Sequence, residues 1–361
     1  LLPPSFMNKQ KTKKDLHFLL LFDRFIQDSR KGRRLQPNGK RISDGTIKNY
    51  EYTKQVLVLF CDKKNFSLRI RQEKYLNQRE AEREKNYWKK FYNRFTDYLY
   101  KDCGYFDNYV GQQIKTIKTF FNYLNKDLAL GVGLFYKQFY VRKEEVPIFP
   151  LMPEELSFLI HDQVFEASLC PRLREVKDVF VFGCTVALRV SDLLTLKRSN
   201  LRIVSGQHYL VVRSQKTATD TLIKLPSYAV SIIDKYKRKS SGLLPCFNKS
   251  NLNQYIKLLL EKADFKQEVT LLRERRGKAI IKKKGSVSTN LRFCDVASTH
   301  TMRRTAITTM LCLGVPEGVV RKISGHAPHT KEFYRYVLWA QSYQDSATEK
   351  AFQMLEKIKY S

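Results

Sequence analysis

The sequence predicts a mainly helical, α+β chain of two domains, with a small antiparallel sheet confined to the second. Three observations carry that expectation. Apolar residues recur at helical spacing through most of the chain. Three prolines between residues 147 and 153 interrupt it. Two β-rich runs within 208–226 flank a polar turn.

Residues 1–14 (LLPPSFMNKQKTKK) read as a basic tail or cloning remnant; they lack the order of a signal peptide, whose charges precede its apolar stretch. Because the first residue is Leu1, a further segment upstream is allowed for. Residues 15–136 are expected to form a basic helical domain. Ser43, Asp44, Gly45 and Thr46 offer caps for a helix over 43–60, which sets Ile47, Tyr50, Leu57 and Phe60 on one face. A second stripe runs Trp88, Phe91, Phe95, Tyr98, and a third Val110, Ile114, Ile117, Phe121, Leu124.

Residues 137–152 (KQFYVRKEEVPIFPLM) read as a linker, and 153–361 as a second domain. Helical patterns are expected at 153–168 and 172–198, then the strands within 208–226. LLRERRGKAIIKKKG (271–285) is either a hairpin around Gly277 or a mobile loop. Gly314 and Pro316 divide the next helical stretch in two, and the remainder is helical, ending in a segment whose Phe352, Leu355 and Ile358 suit docking on a neighbour or on its own domain.

Composition narrows the partner. Among 361 residues, 66 Lys and Arg against 35 Asp and Glu leave a net charge of +31, spread along the whole chain. That excess predicts a polyanion, nucleic acid first. The 43% hydrophobic content argues against disorder, and no apolar run is long enough to span a bilayer, so a cytoplasmic protein is expected. The seven cysteines are scattered without a CxxC pair, which suits free thiols in a reducing compartment. Six histidines without ligand spacing argue against a metal site.

Two stretches concentrate the chemistry. In VFGCTVALRVSDLLTLK (181–197), Arg189 sits in an apolar run that a continuous helix would bury, where an unpaired guanidinium costs several kcal/mol. Asp192, three residues on, is one partner along the helix, and an anionic ligand is another. In STHTMRRTAITTMLCLGVPEGVVRKISGH (298–326), His300 and Arg303 share a face near a helix start, where free amides favour a phosphate.

Taken in order, the ALRVSDLLTL arginine, a lysine in a β-turn, HTMRRT, a later Gly-His and a tyrosine resemble the tyrosine recombinases, the phage integrase family. Phe333, Arg335, Tyr336 and Val337 match the FxRYV-like ending usual among integrases of Bacteroidetes mobile elements. The resemblance covers nearly the whole chain. It implies a helical SAM-like domain that binds the DNA core site, followed by a catalytic domain.

The resemblance makes Arg189 and Arg303 the pair gripping the scissile phosphate, Lys216 the hairpin lysine, His300 and His326 the two histidines, and Tyr336 the nucleophile. It gives Asp192 the task of orienting the first arginine and leaves Arg304 outside the catalytic set. Two departures stand out. Ala187 occupies a position that is glycine in the family. The usual nine-residue spacing from the Gly-His histidine lands on Arg335, so a one-residue insertion in the APHTKE turn is required to reach Tyr336 in place of Tyr334.

The residue types suit the reaction. Planar guanidiniums each give parallel hydrogen bonds to phosphate oxygens as charge builds. A phenol of reference pKa about 10 needs a positive field to act as a nucleophile. A turn lysine can protonate the departing 5′ oxygen. The product is a 3′-phosphotyrosyl bond, and the resemblance implies that no metal or other cofactor is needed. It further implies double-stranded DNA as partner, four protomers on two duplexes, and an option for accessory DNA-bending proteins. Lys48, Lys54, Lys115, Lys118, Arg275, Arg276, Lys282 and Lys283 are expected DNA contacts, chiefly to phosphate. The rivals are a type IB topoisomerase and a catalytically silent DNA-binding regulator on the same fold.

Overall fold

Residues 15–213, 220–238, 242–285, 289–327 and 330–357 are described in this computed structural model. The chain divides into two units: one takes the chain up to Val146 together with Leu272–Ile281, the other Pro147–Leu271 and everything from Lys282.

In the first unit, strand β1 (Asp15–His17) leads into helix α1 (Phe18–Arg30), and His17 caps that helix by accepting from the Leu20 amide. Ser43 caps α2 (Asp44–Lys64), as its position predicts, by accepting from the Thr46 amide. The helix ends at Asn65 in the left-handed region, and β2 (Arg69–Arg71) then pairs antiparallel with β1. Asn77 and Glu80 close a reciprocal capping box at the start of α3 (Gln78–Asp97), and α4 (Asp107–Lys126) follows.

The apolar stripes of these helices meet in an aromatic core. Phe18, Phe22, Phe25, Phe60, Trp88, Phe91, Phe95, Phe120 and Phe121 are all fully buried, each side chain stabilising by about 1.5–3 kcal/mol relative to exposure. Trp88 stacks on Phe135 at 5.1 Å and donates its indole N–H to the buried Glu84 carboxylate at 2.9 Å. That bond satisfies the one polar atom which burying a tryptophan strands.

The stretch at 271–285 forms a hairpin with strands Leu271–Arg275 and Lys278–Lys282. Its two-residue loop, Arg276 and Gly277, has φ of +56° and +74°, the pattern of a type I′ turn. The turn is held inside the first unit. The buried Asp107 carboxylate accepts from the backbone amides of Arg276 and Gly277, both at 2.8 Å, and from the Tyr100 hydroxyl at 2.6 Å. Arg273 donates twice to Glu144, whose pKa is drawn below the usual carboxylate range by Arg273 and two backbone amides, against the opposing effect of burial.

The second unit opens with α5 (Pro153–His161) and α6 (Gln163–Ser168), then α7 (Pro171–Val186), whose Val176, Val179, Phe180 and Phe182 are fully buried. The single helix expected over 172–198 does not form. Ala187 takes φ +54° and ends α7, and a short α8 (Val190–Leu193) restarts after it, so Arg189 stands at a helix start and not within a buried run. The antiparallel sheet β3 (Leu201–Val204), β4 (Gln207–Arg213) and β5 (Asp220–Lys224) agrees with the expected strands and adds one at the edge.

Then come α9 (Ser227–Lys235), α10 (Lys249–Lys262) and α11 (Phe293–Val296). The last three helices are α12 (Thr299–Cys312), α13 (Glu317–Ser324) and α14 (Lys331–Lys357). α12 crosses α7 closely because Gly183 has no side chain: a Cβ there would stand 2.5 Å from Met302 Sδ. Phe352 on α14 is exposed, while the Leu355 side chain and Ile358 lie outside the described residues. Among the described residues no helix is long and apolar enough to cross a membrane, and no group of His, Cys, Asp and Glu is arranged to hold a metal ion.

Candidate active site

Two chain reversals and a helix cap build the site. The left-handed Ala187 turns the chain out of α7 and presents Arg189 at the N-cap of α8. Ser298 caps α12 by accepting from the His300 amide, and Arg303 follows one turn later. Gly325, at φ +63°, ends α13 and turns His326 back towards α14.

Arg303 is buried, with 8% exposure, and two of its nitrogens are committed to carbonyl oxygens: Nη1 to Ala187 at 2.8 Å and Nη2 to Ser324 at 2.5 Å. A guanidinium has five N–H donors, so others are left for a ligand while the two carbonyls fix its plane. Burial lowers its pKa to about 10, the Arg189 charge adds to that, and Tyr336 and the buried Asp192 act the other way.

His326 Nδ1 lies 2.8 Å from Ser324 Oγ, and Ser324 itself donates to the Val320 carbonyl at 2.7 Å. A hydroxyl has one proton, so the imidazole carries its proton on Nδ1 and leaves Nε2 as an acceptor. Burial first, then the charges of Arg303, Arg189 and Arg321, lower the His326 pKa to about 4. The ring is therefore neutral at pH 7.

A cavity of about 370 Å³ is lined by Arg189, Lys249, His300, Arg303, Arg304 and Tyr336, with Val190, Ser191 and Leu194 completing the wall. No carboxylate is among the lining residues. Tyr336 is half-buried, with its ring 6.0 Å from His326 and 5.8 Å from Phe333. Tyr334 is 54% exposed, outside this lining, with the Arg321 guanidinium 5.9 Å from its ring.

Of the residues expected from sequence, Arg189, His300, Arg303 and Tyr336 line one cavity, and His326 stands against Tyr336. Lys216 lies outside the described residues. Two charged lining residues were not anticipated. Arg304 was set aside as part of the motif alone, and Lys249 was not singled out; its one signal was the Asn248 cap that starts a helix beside it.

The expected DNA contacts divide. Lys48, Lys115, Lys282 and Lys283 are exposed. The other four are engaged within the chain: Lys54 by Asp23, Lys118 by the carbonyls of Lys137 and Phe139, Arg275 by the Gly104 carbonyl, and Arg276 by Asp97.

Comparison with solved structures places the fold. XerH site-specific recombinase bound to difH substrate, in a pre-cleavage complex, superposes with a TM-score of 0.59 at 12% identity, over 88% of this chain and 92% of that one. A lambda integrase (75–356) dimer bound to a COC′ core site gives 0.57 at 14% identity, over 89% and 95%. A lambda integrase tetramer bound to a Holliday junction gives 0.55 at 14%, over 90% and 78%. No curated protein sequence matches the chain. The chain thus has the tyrosine recombinase fold, and its residues 177–338 match the phage integrase family.

Proposed function

We propose that the chain is a site-specific DNA recombinase that cuts and rejoins DNA through Tyr336, as the integrases of mobile elements do. The observation that carries this reading is the meeting of Tyr336 with Arg189 and Arg303 in one cavity without a lining carboxylate. That cavity suits a phosphodiester, whose charge grows during attack.

In this scheme the Tyr336 oxygen bonds to phosphorus and the bond from phosphorus to the 5′ oxygen breaks. Lys216 supplies the proton that makes the departing group a 5′ hydroxyl. Arg189 and Arg303 hold the non-bridging oxygens, and Asp192 orients Arg189. His300 donates to the phosphate, while His326, neutral with Nε2 free to accept, takes the phenol proton. Attack by the 5′ hydroxyl of a second duplex reverses the step and exchanges strands. The similar fold of a lambda integrase tetramer bound to a Holliday junction supports four protomers on two duplexes, with the C-terminal turns of α14 docking on a neighbour.

The test uses duplex DNA carrying the element's end and a nick beyond the cut, so that the released fragment diffuses away and the adduct accumulates. Wild type and Tyr334→Phe should form a protein–DNA adduct stable to denaturing gels, and Tyr336→Phe should not. Loss with Tyr334→Phe alone would reassign the nucleophile. An adduct on any sequence, without strand exchange, would favour a relaxing topoisomerase.

A further inference from the structure

The cavity holds one more guanidinium than a two-arginine grip requires. Successive residues on a helix point about 100° apart, so Arg303 and Arg304 leave α12 in different directions. Arg303 reaches Ala187 and Ser324. Arg304 shares the cavity with Tyr336, and α14 packs against α12 on that side.

Arg304 is only partly exposed, and among the described residues no oxygen accepts a hydrogen bond from its guanidinium. Its charged or ionisable neighbours are Tyr336 and Arg335, and burial depresses its pKa. A cation half withdrawn from water, facing a cavity without a protein acceptor, is only partly compensated. Such a group persists where it meets an anion during function.

We propose that Arg304 is a further catalytic residue, which stabilises the Tyr336 oxygen as it becomes anionic on attack and again as it leaves on rejoining. This rests on the function proposed above. It places Arg304 on the nucleophile and separates it from Arg189 and Arg303, which serve the phosphate.

The experiment compares wild type, Arg304→Gln and Arg304→Lys on the nicked duplex under single-turnover conditions, with DNA affinity and thermal unfolding measured on the same preparations. Arg304→Gln should slow adduct formation about 10- to 100-fold at saturating DNA, slow rejoining by the same factor, and leave the dissociation constant within about 3-fold. Arg304→Lys, which keeps the charge, should fall between the two. The glutamine variant should unfold at a temperature no lower than wild type, because among the described residues no oxygen accepts from the Arg304 guanidinium and none is stranded by its loss.

A lower unfolding temperature for Arg304→Gln would overturn the proposal in favour of a structural role. Weakened binding with an unchanged rate at saturation would overturn it in favour of a grip on a flanking phosphate. Equal rates in wild type and Arg304→Gln would overturn it while leaving the recombinase reading intact. No adduct from wild-type protein would remove both.

Discussion

Arg303 donates to the carbonyl oxygen of Ala187 across 2.8 Å, and Ala187 presents that oxygen by adopting φ +54°, a conformation that L-residues other than glycine seldom take. One helix end and one arginine thus fix each other.

Replacing Ala187 separates strain from packing. Ala187→Gly relieves about 1 kcal/mol of left-handed strain and loses a buried methyl worth about 0.8 kcal/mol, so denaturant unfolding should stay within about 1 kcal/mol of wild type. Ala187→Val should lose about 2 kcal/mol or more, since a β-branched residue at positive φ clashes with its own backbone. Equal stability for both variants would contradict the assigned conformation.

Arg303→Lys keeps the charge but cannot span the carbonyls of both Ala187 and Ser324. Adduct formation should fall about 10²- to 10³-fold, with a stability loss of about 1–2 kcal/mol from the unmet carbonyl. Wild-type cleavage by the lysine variant would show that the bidentate geometry is dispensable.

His326 makes stability pH-dependent with a definite sign. Its folded pKa, about 4, lies below the ordinary value of 6.5, so the unfolded chain binds more protons between those limits. Protonation then favours unfolding, and the destabilisation starts below pH 6.5 and grows as pH falls towards 4. Since the ring is partly open to solvent, the difference between wild type and His326→Gln should narrow by on the order of 1 kcal/mol between pH 7.5 and 5. Urea titrations at both pH values measure it, and parallel curves would refute the neutral assignment.

Asp107 anchors the hairpin turn through three donors. Asp107→Ala strands all three and should cost about 3 kcal/mol or more. Trypsin should then cut earlier within 271–285, a stretch rich in Lys and Arg. An unchanged cleavage order would mean that Arg273 and Glu144 hold the hairpin alone.

Much of this was legible in the residues themselves. Ser43 announced the start of α2, the aromatic stripes announced the core of the first unit, and the Gly314 and Pro316 pair marked the break between α12 and α13. The order of Arg189, HTMRRT, Gly-His and tyrosine pointed to the tyrosine recombinase fold that the structure has. Local signals sufficed there because caps, stripes and turn residues act within a few positions of themselves.

Other features were not legible, for the opposite reason. The run around Arg189 reads as one helix because nothing in TVALRVSD forbids it; the break follows from the left-handed Ala187, whose carbonyl meets an arginine 116 residues away. Arg276 is exposed, as an expected DNA contact would be, but its guanidinium is paired with Asp97 of α3 and its amide with Asp107 of α4, partners that the local sequence does not announce. Lys249 and Arg304 are two cations among 66, distinguished only by the cavity they face.

By itself, then, the sequence determined most of the helices, the strands within 208–226, a charge excess that suits a polyanion, and the family resemblance, since these follow from side-chain period, charge and motif order. The tertiary structure alone decided which tyrosine shares a cavity with the arginines, which cations are already paired, and which further cations line that cavity, because each depends on contacts between residues far apart in the chain.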